Sequence, residues 1–176
     1  MNRKLIVMLA LLAALPAAAE DYMPFTERYG HQFENERAWN EAAVTLPDYP
    51  EAGRGNWFQL YVNPTYANQA EVLLPLEKAA DGSLRYVLAI RSPGGQPNYT
   101  YEGIRCHDLH QRPFAFGDNS NRRWIAPRNT QWRLYDNYRT AADPVRGRLM
   151  RILCEDGIPR SAEEAEQLLH RFGKRS

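Results

Sequence analysis

Between Trp57 and Cys106 the chain alternates β-prone runs with connectors too short to carry a parallel crossover, and this constrains the fold more than any other feature. Trp57 to Val62 alternates, Glu71 to Leu76 follows, and Leu84 to Arg91 places Leu84, Tyr86, Leu88 and Ile90 on one face by its period of two. Asp81-Gly82 is a hairpin signal, since glycine tolerates the positive φ of such a turn. Ser92-Pro93-Gly94-Gly95-Gln96-Pro97 then reverses the chain, and Asn98 to Cys106 returns as the next strand. Phe114 to Phe116, Arg123 to Ile125 and Gln131 to Tyr135 are shorter strand candidates, separated by Gly, Asn and Pro. An antiparallel meander is the economical topology.

The end of the chain changes period. Asp143-Pro144 supplies an N-cap followed by proline at the first helical position, with Val145, Leu149, Ile152 and Leu153 on one face and Gly157 just beyond. Ser161 and Glu164 form a capping box, after which Ala165, Leu168, Leu169 and Phe172 recur at helical spacing before Gly173. The fold expected is α+β: an antiparallel β meander with two C-terminal helices. Ahead of the strands, Phe33 to Val44 has the pattern of a short helix carrying Trp39 and Ala43 on one face. Leu46-Pro47-Asp48-Tyr49-Pro50 reads as an extended connector. The expected organisation is a cleaved signal over residues 1–19, a loosely held segment over 20–38 and a single α+β domain over 39–176.

The signal rests on Arg3 and Lys4, eleven apolar residues from Leu5 to Leu15, and the small residues Ala17-Ala18-Ala19. That apolar run is shorter than the roughly 20 residues of a membrane-spanning helix, and no integral membrane insertion is expected. With no cysteine directly after Ala19, lipid anchoring there is not expected either. Removal of residues 1–19 leaves 157 residues with 20 basic and 21 acidic side chains, a formal charge of −1. Such a balance gives no general field for nucleic acid, and basic spots at Arg122-Arg123 and at Arg146, Arg148 and Arg151 read as solvated faces. In an exported chain the two cysteines, Cys106 and Cys154, read as one disulfide.

The stretch LRYVLAIRSPGGQPNYTYEGIRC, Leu84 to Cys106, resembles the signature of the cryptic neisserial protein-like family of exported bacterial proteins. WNEAAVTLPDYP from Trp39, FAFGDNSNRRWIAPRNTQW from Phe114 and the late cysteine in ILCEDG agree with it in order and spacing, so that the likeness covers residues 39 to 172. The resemblance implies a periplasmic or envelope location in a Gram-negative bacterium and brings no activity with it.

Chemistry-bearing groups are sparse. Cys106-His107-Asp108-Leu109-His110 is the densest cluster, but no further spaced ligands complete a zinc set, and no metal is expected. There is no Gly-x-Ser-x-Gly elbow, a cysteine nucleophile would forfeit the disulfide, and Gly94-Gly95 lies in no phosphate-binding or dinucleotide pattern, so no cofactor is expected. Glu102 or Asp108 would be one member of any acid and base pair. Ten tyrosines and four tryptophans suit either a core or a stacking surface. Trp39, Trp57 and Phe58 read as core, while Tyr99, Tyr101 and Trp124, beside Gly, Asn and Arg at strand ends, are the surface candidates. Strand alternation sets Glu102 with Ile104 and Cys106 on the inner face, and Arg105 with Tyr99, Tyr101 and Gly103 on the other. A buried Glu102 then requires a guanidinium, a ring donor or backbone N–H groups. The candidate binding residues are therefore Tyr99, Tyr101, Glu102, Arg105 and Trp124, and the expected role is noncatalytic binding of an envelope component or a periplasmic partner protein. The alternative is a cell-envelope hydrolase or transferase using Glu102 or His107, which a pre-formed cleft of convergent polar groups would favour.

Overall fold

The computed structural model describes residues 39–51, 53–135 and 142–175, and among them seven strands and two helices make up the regular structure. The expected signal over 1–19, the loosely held segment over 20–38 and the first part of the Phe33 to Val44 helix lie outside the described residues. The strands are β1 Asn56–Leu60, β2 Gln69–Lys78, β3 Leu84–Arg91, β4 Pro97–Arg105, β5 His110–Asp118, β6 Arg123–Ile125 and β7 Arg133–Leu134. β1 to β6 form an antiparallel meander in chain order. The last two strands share one edge: β6 pairs with the end of β5 at Phe116↔Ile125, while β7 doubles back to its start at His110↔Leu134. The helices, α1 Pro144–Cys154 and α2 Ala162–Phe172, follow the sheet as their caps foretold. Asp143 accepts from the Arg146 N–H at 3.2 Å, and Ser161 accepts from the Glu164 N–H at 3.2 Å.

Each face of the sheet is covered, by different means. Ala70, Val72, Leu74 and Leu76 alternate along β2 onto the face that α1 and α2 cover with Val145, Leu149, Leu153, Ala165 and Leu169. Pro75 lacks an N–H, and the β2–β3 register shifts between Leu73 and Glu77; the Leu76 N–H there donates to Glu166 Oε1 of α2 at 3.0 Å. β3 buries both of its faces, which is why LRYVLAIR reads as a nearly continuous apolar run. Cys106 and Cys154 are bridged, joining the end of β4 to the end of α1 across a separation of 48 residues. Among the described residues, no helix is long and apolar enough to cross a membrane.

The opposite face is closed by an irregular strap, residues 41–50, with Val44 and Tyr49 packed on Val87, Ala89, Tyr99 and Tyr101. This corrects the described part of the expected Phe33 to Val44 helix, because residues 39–44 have no helical structure. The reason lies in the partners of the backbone. The Ala42 N–H donates to Asp81 Oδ2 at 2.8 Å, and Arg85 donates to the carbonyls of Ala43 at 2.8 Å and Ala42 at 2.9 Å. Groups that a helix would satisfy internally are thus taken by the sheet. The Leu46 to Pro50 connector is extended, as read. Phe58 is in the helix-covered core, whereas Trp57 and Trp39 are half-buried.

Candidate functional site

Glu102 stands at the centre of β4, fully buried against α1. Arg146, in the first turn of α1, donates Nε to the carboxylate at 2.9 Å and makes a second contact through Nη2, so the pairing is bidentate. The Gln111 amide donates at 3.1 Å, the Tyr86 hydroxyl at 3.3 Å, and the Thr100 hydroxyl completes the set. Arg146 is held in turn by Asp143, the α1 N-cap. Burial acts to lower the pKa of Arg146, but the charge and hydrogen bonds of Glu102 outweigh it and hold the guanidinium more firmly protonated than usual. Tyr86 is pushed well above its ordinary value by burial, then by the neighbouring carboxylate. A carboxylate whose lone pairs are all taken by donors, with a fixed cation against it, has no free position for a substrate proton. Its evident work is to fasten β4 to α1.

Of the sequence candidates, Arg105 falls on the opposite face, as strand alternation required, with its guanidinium 5.3 Å over the Trp132 ring and its Nε donating to Asp108 at 2.7 Å. Burial alone would raise the Asp108 pKa, yet hydrogen bonding and charge from Arg105 lower it. His107 is exposed in the turn, while the His110 Nδ1 lies 2.8 Å from the Asp108 carbonyl. No cluster of three metal-ligating side chains occurs among the described residues.

Tyr99 and Tyr101 differ from the sequence reading in their exposure: both are buried, at 5% and 3%. The strap and β1 account for this together, since Tyr49 meets Tyr99 edge-on at 5.7 Å and Trp57 of β1 stacks on it at 5.8 Å. The rim of Tyr99 still reaches a cavity of about 410 Å³ shared with Tyr49, Arg54 and Arg122. Tyr101 donates to Glu77 at 2.7 Å, and burial followed by that bond raises its pKa. Trp124 is half-buried, its indole N–H donating to the Pro47 carbonyl at 2.8 Å. The candidates are therefore divided between the two faces and form no common cleft.

Another cavity is larger and was not foreseen. A groove of about 710 Å³ follows the outer edge of β1 and continues past Tyr61, Asn63 and Tyr66 to the end of α2. It is lined by amides of Asn56, Gln59, Asn63, Asn68 and Gln69, by the rings of Trp57, Tyr61 and Tyr66, and by His170, Lys174 and Arg175. Among the described residues, no acidic side chain lines it. The Tyr61 N–H donates to the Gly173 carbonyl at 2.8 Å, which ties the groove's two walls together. The sequence signal was the interleaving of amides and rings in NWFQLYVNPTYANQ, which strand periodicity alone does not separate from an ordinary edge.

No solved structure matches. Cryptic neisserial protein 1 of Neisseria gonorrhoeae (strain ATCC 700825 / FA 1090) is 33% identical over 187 residues, covering 96% of this chain and 92% of that protein. Residues 34–171 match the CNP1-like family, and the chain belongs to it.

Proposed function

We propose that this chain is an exported periplasmic domain that binds an envelope component or a partner protein without catalysis, through the groove along β1. The observation that carries the reading is the groove itself: rings and amides share one open cavity with the exposed cations Lys174 and Arg175. Export is supported by the signal pattern of residues 1–19 and by the Cys106–Cys154 bridge, which an oxidising compartment sustains. The hydrolase or transferase alternative finds little support, because Glu102 is sealed under α1 and His107 stands in an exposed turn away from any convergent set.

Titration of the mature protein with purified envelope fractions, read by tryptophan fluorescence, tests the proposal. Saturable binding that leaves the bound material chemically intact by mass spectrometry, and that weakens in Trp57→Ala with Tyr66→Ala, is the expected result. Turnover by the wild type that disappears in Glu102→Gln or His107→Ala would instead establish the enzyme. Failure of every fraction to bind, or binding indifferent to the groove substitutions, would overturn the proposed site.

A further inference from the structure

The groove has a feature that rings and amides do not explain: it runs beside a sheet edge that the described residues leave without a partner strand. β1 pairs with β2 on one side, and among the described residues no strand pairs with the other. Alternate backbone N–H and C=O groups of a five-residue strand therefore point into the groove. Proteins usually guard such an edge with lysine, proline or a bulge, because it templates further strands. NWFQL has none of these, whereas the strands at the opposite edge, β6 and β7, are short and each begins with arginine.

We infer that β1 accepts an extended acidic segment of a partner protein as an added antiparallel or parallel strand, with its carboxylates meeting Lys174 and Arg175 at the end of α2. This deepens the binding reading above and rests on it. Backbone hydrogen bonds to β1 supply affinity that is indifferent to side chains, while alternate side chains of the segment meet the groove's two walls. Charge supplies direction. Lys174 and Arg175 are exposed, with the Arg175 guanidinium 5.9 Å from the Tyr61 ring, and no carboxylate among the lining residues neutralises them. The same two residues border a second cavity with Arg148, Arg151 and Arg171, opposed only by Glu155 and Asp156, so the positive field extends beyond the groove's end. A strand of five residues spans about 17 Å, enough to align a short segment and set its acidic end against the cations.

A fluorescein-labelled peptide of about ten residues, alternating Thr and Val and ending in Glu-Asp-Glu, is a direct probe by fluorescence polarisation with the mature protein. Saturable binding is expected, weakened roughly tenfold or more when the acidic end is replaced by Lys-Lys-Lys or when Lys174→Glu is combined with Arg175→Glu. Arg128→Glu with Arg133→Glu, at and before β7, should leave it unchanged. Two N-methylated versions of the peptide separate strand addition from simple charge pairing. Methylating one alternate set of amides should abolish binding, and methylating the other should change it by less than about twofold, because only one edge of an added strand faces β1. Equal effects of the two sets, or no binding of the unmodified peptide, would overturn the inference. If envelope glycans bind the groove while the peptide does not, strand addition fails and the broader binding reading stands.

Discussion

One face of this sheet is covered by two helices through aliphatic side chains, the other by a strap with no regular structure through rings and hydrogen bonds. Each face nonetheless carries a buried ion pair with one member on a strand, Glu102 on β4 and Arg85 on the neighbouring β3. Tyr86 stands opposite Glu102 and Arg85 opposite Gly103, so the Glu102–Arg146 pair lies under α1 and the Arg85–Asp81 pair under the strap. The difference is instructive. A helix satisfies its own backbone, and its face needs only apolar side chains plus one tether. An irregular strap brings unsatisfied amides and carbonyls with it, so Asp81, Arg85 and the indole of Trp124 supply the partners. Trp132 and Arg112 hold the strap's beginning by bonding Glu41.

Removing the bridge should have the largest effect and fall on the helical face. On the chain-entropy model, a closed loop of this length contributes about 4 kcal/mol. Cys106→Ala with Cys154→Ala should therefore lower the melting temperature by roughly 10 °C, with hydrogen exchange rising first in α1 and leaving the strap protected. Early loss at residues 41–50 would show that the two faces are not independent.

Glu102→Ala comes next. It strands the Arg146 guanidinium, whose side chain is only 19% exposed, together with the Tyr86 hydroxyl. Breaking a buried pair costs about 3 kcal/mol or more, reduced here because Asp143 still holds Arg146. A fall in melting temperature of several degrees is expected, with peptide or envelope binding at the β1 groove unaffected. An unchanged melting temperature with lost binding would make Glu102 a functional residue.

Gly103 sharpens the contrast from the strap side. A Cβ there would lie 2.8 Å from both the Phe114 and Trp132 rings, so Gly103→Ala must displace an aromatic wall. Overpacking of this kind costs about 1–3 kcal/mol, and near-ultraviolet circular dichroism should change while α1 and α2 keep their protection. Trp132→Phe is milder, removing the indole bond to Glu41 at 2.9 Å for about 1 kcal/mol, measured by urea denaturation.

Much of this was legible in the sequence. The β3 strand, the hairpin at Asp81-Gly82, both helix caps and the disulfide follow from local chemistry: period, positive φ, side-chain acceptors and compartment. The opposite placement of Arg105 follows from alternation, and the burial of Glu102 from its sharing a face with Ile104 and the bridged Cys106, before any other tertiary contact is known. Arg146 was not legible as the partner, because a separation of 44 positions from Glu102 leaves pairing to the packing of α1. Nor was the strap: FENERAWNEAAV has helical spacing, but over residues 39–44 the bonds of Ala42 and Ala43 to Asp81 and Arg85 override it. Tyr99 and Tyr101 were misread as surface for the same reason, since the segment that buries them lies some fifty residues earlier in the chain.

The smallest effect concerns acid, and it separates the strap's ion pair from the rest. Burial acts to raise the pKa of Asp81, but bonds from the Ser83 hydroxyl and N–H, the Ala42 N–H and the charge of Arg85 lower it below 3.8. A carboxyl with a depressed folded pKa binds fewer protons in the folded state than in the unfolded chain. Its stabilisation is therefore complete above the unfolded value and lost as pH falls through the folded one. Asp81→Asn should lower stability at pH 7 and flatten the decline from about pH 5 downward, because the variant has already lost that increment. Asp108 and Asp118 are lowered too, so the wild type alone cannot assign the slope; the difference between wild type and variant can. Melting curves at pH 7 and pH 3 measure it, with the gap between the two proteins expected to narrow at the lower pH. A gap that stays constant would mean that Asp81 supports the strap through neutral geometry and that its charge contributes nothing.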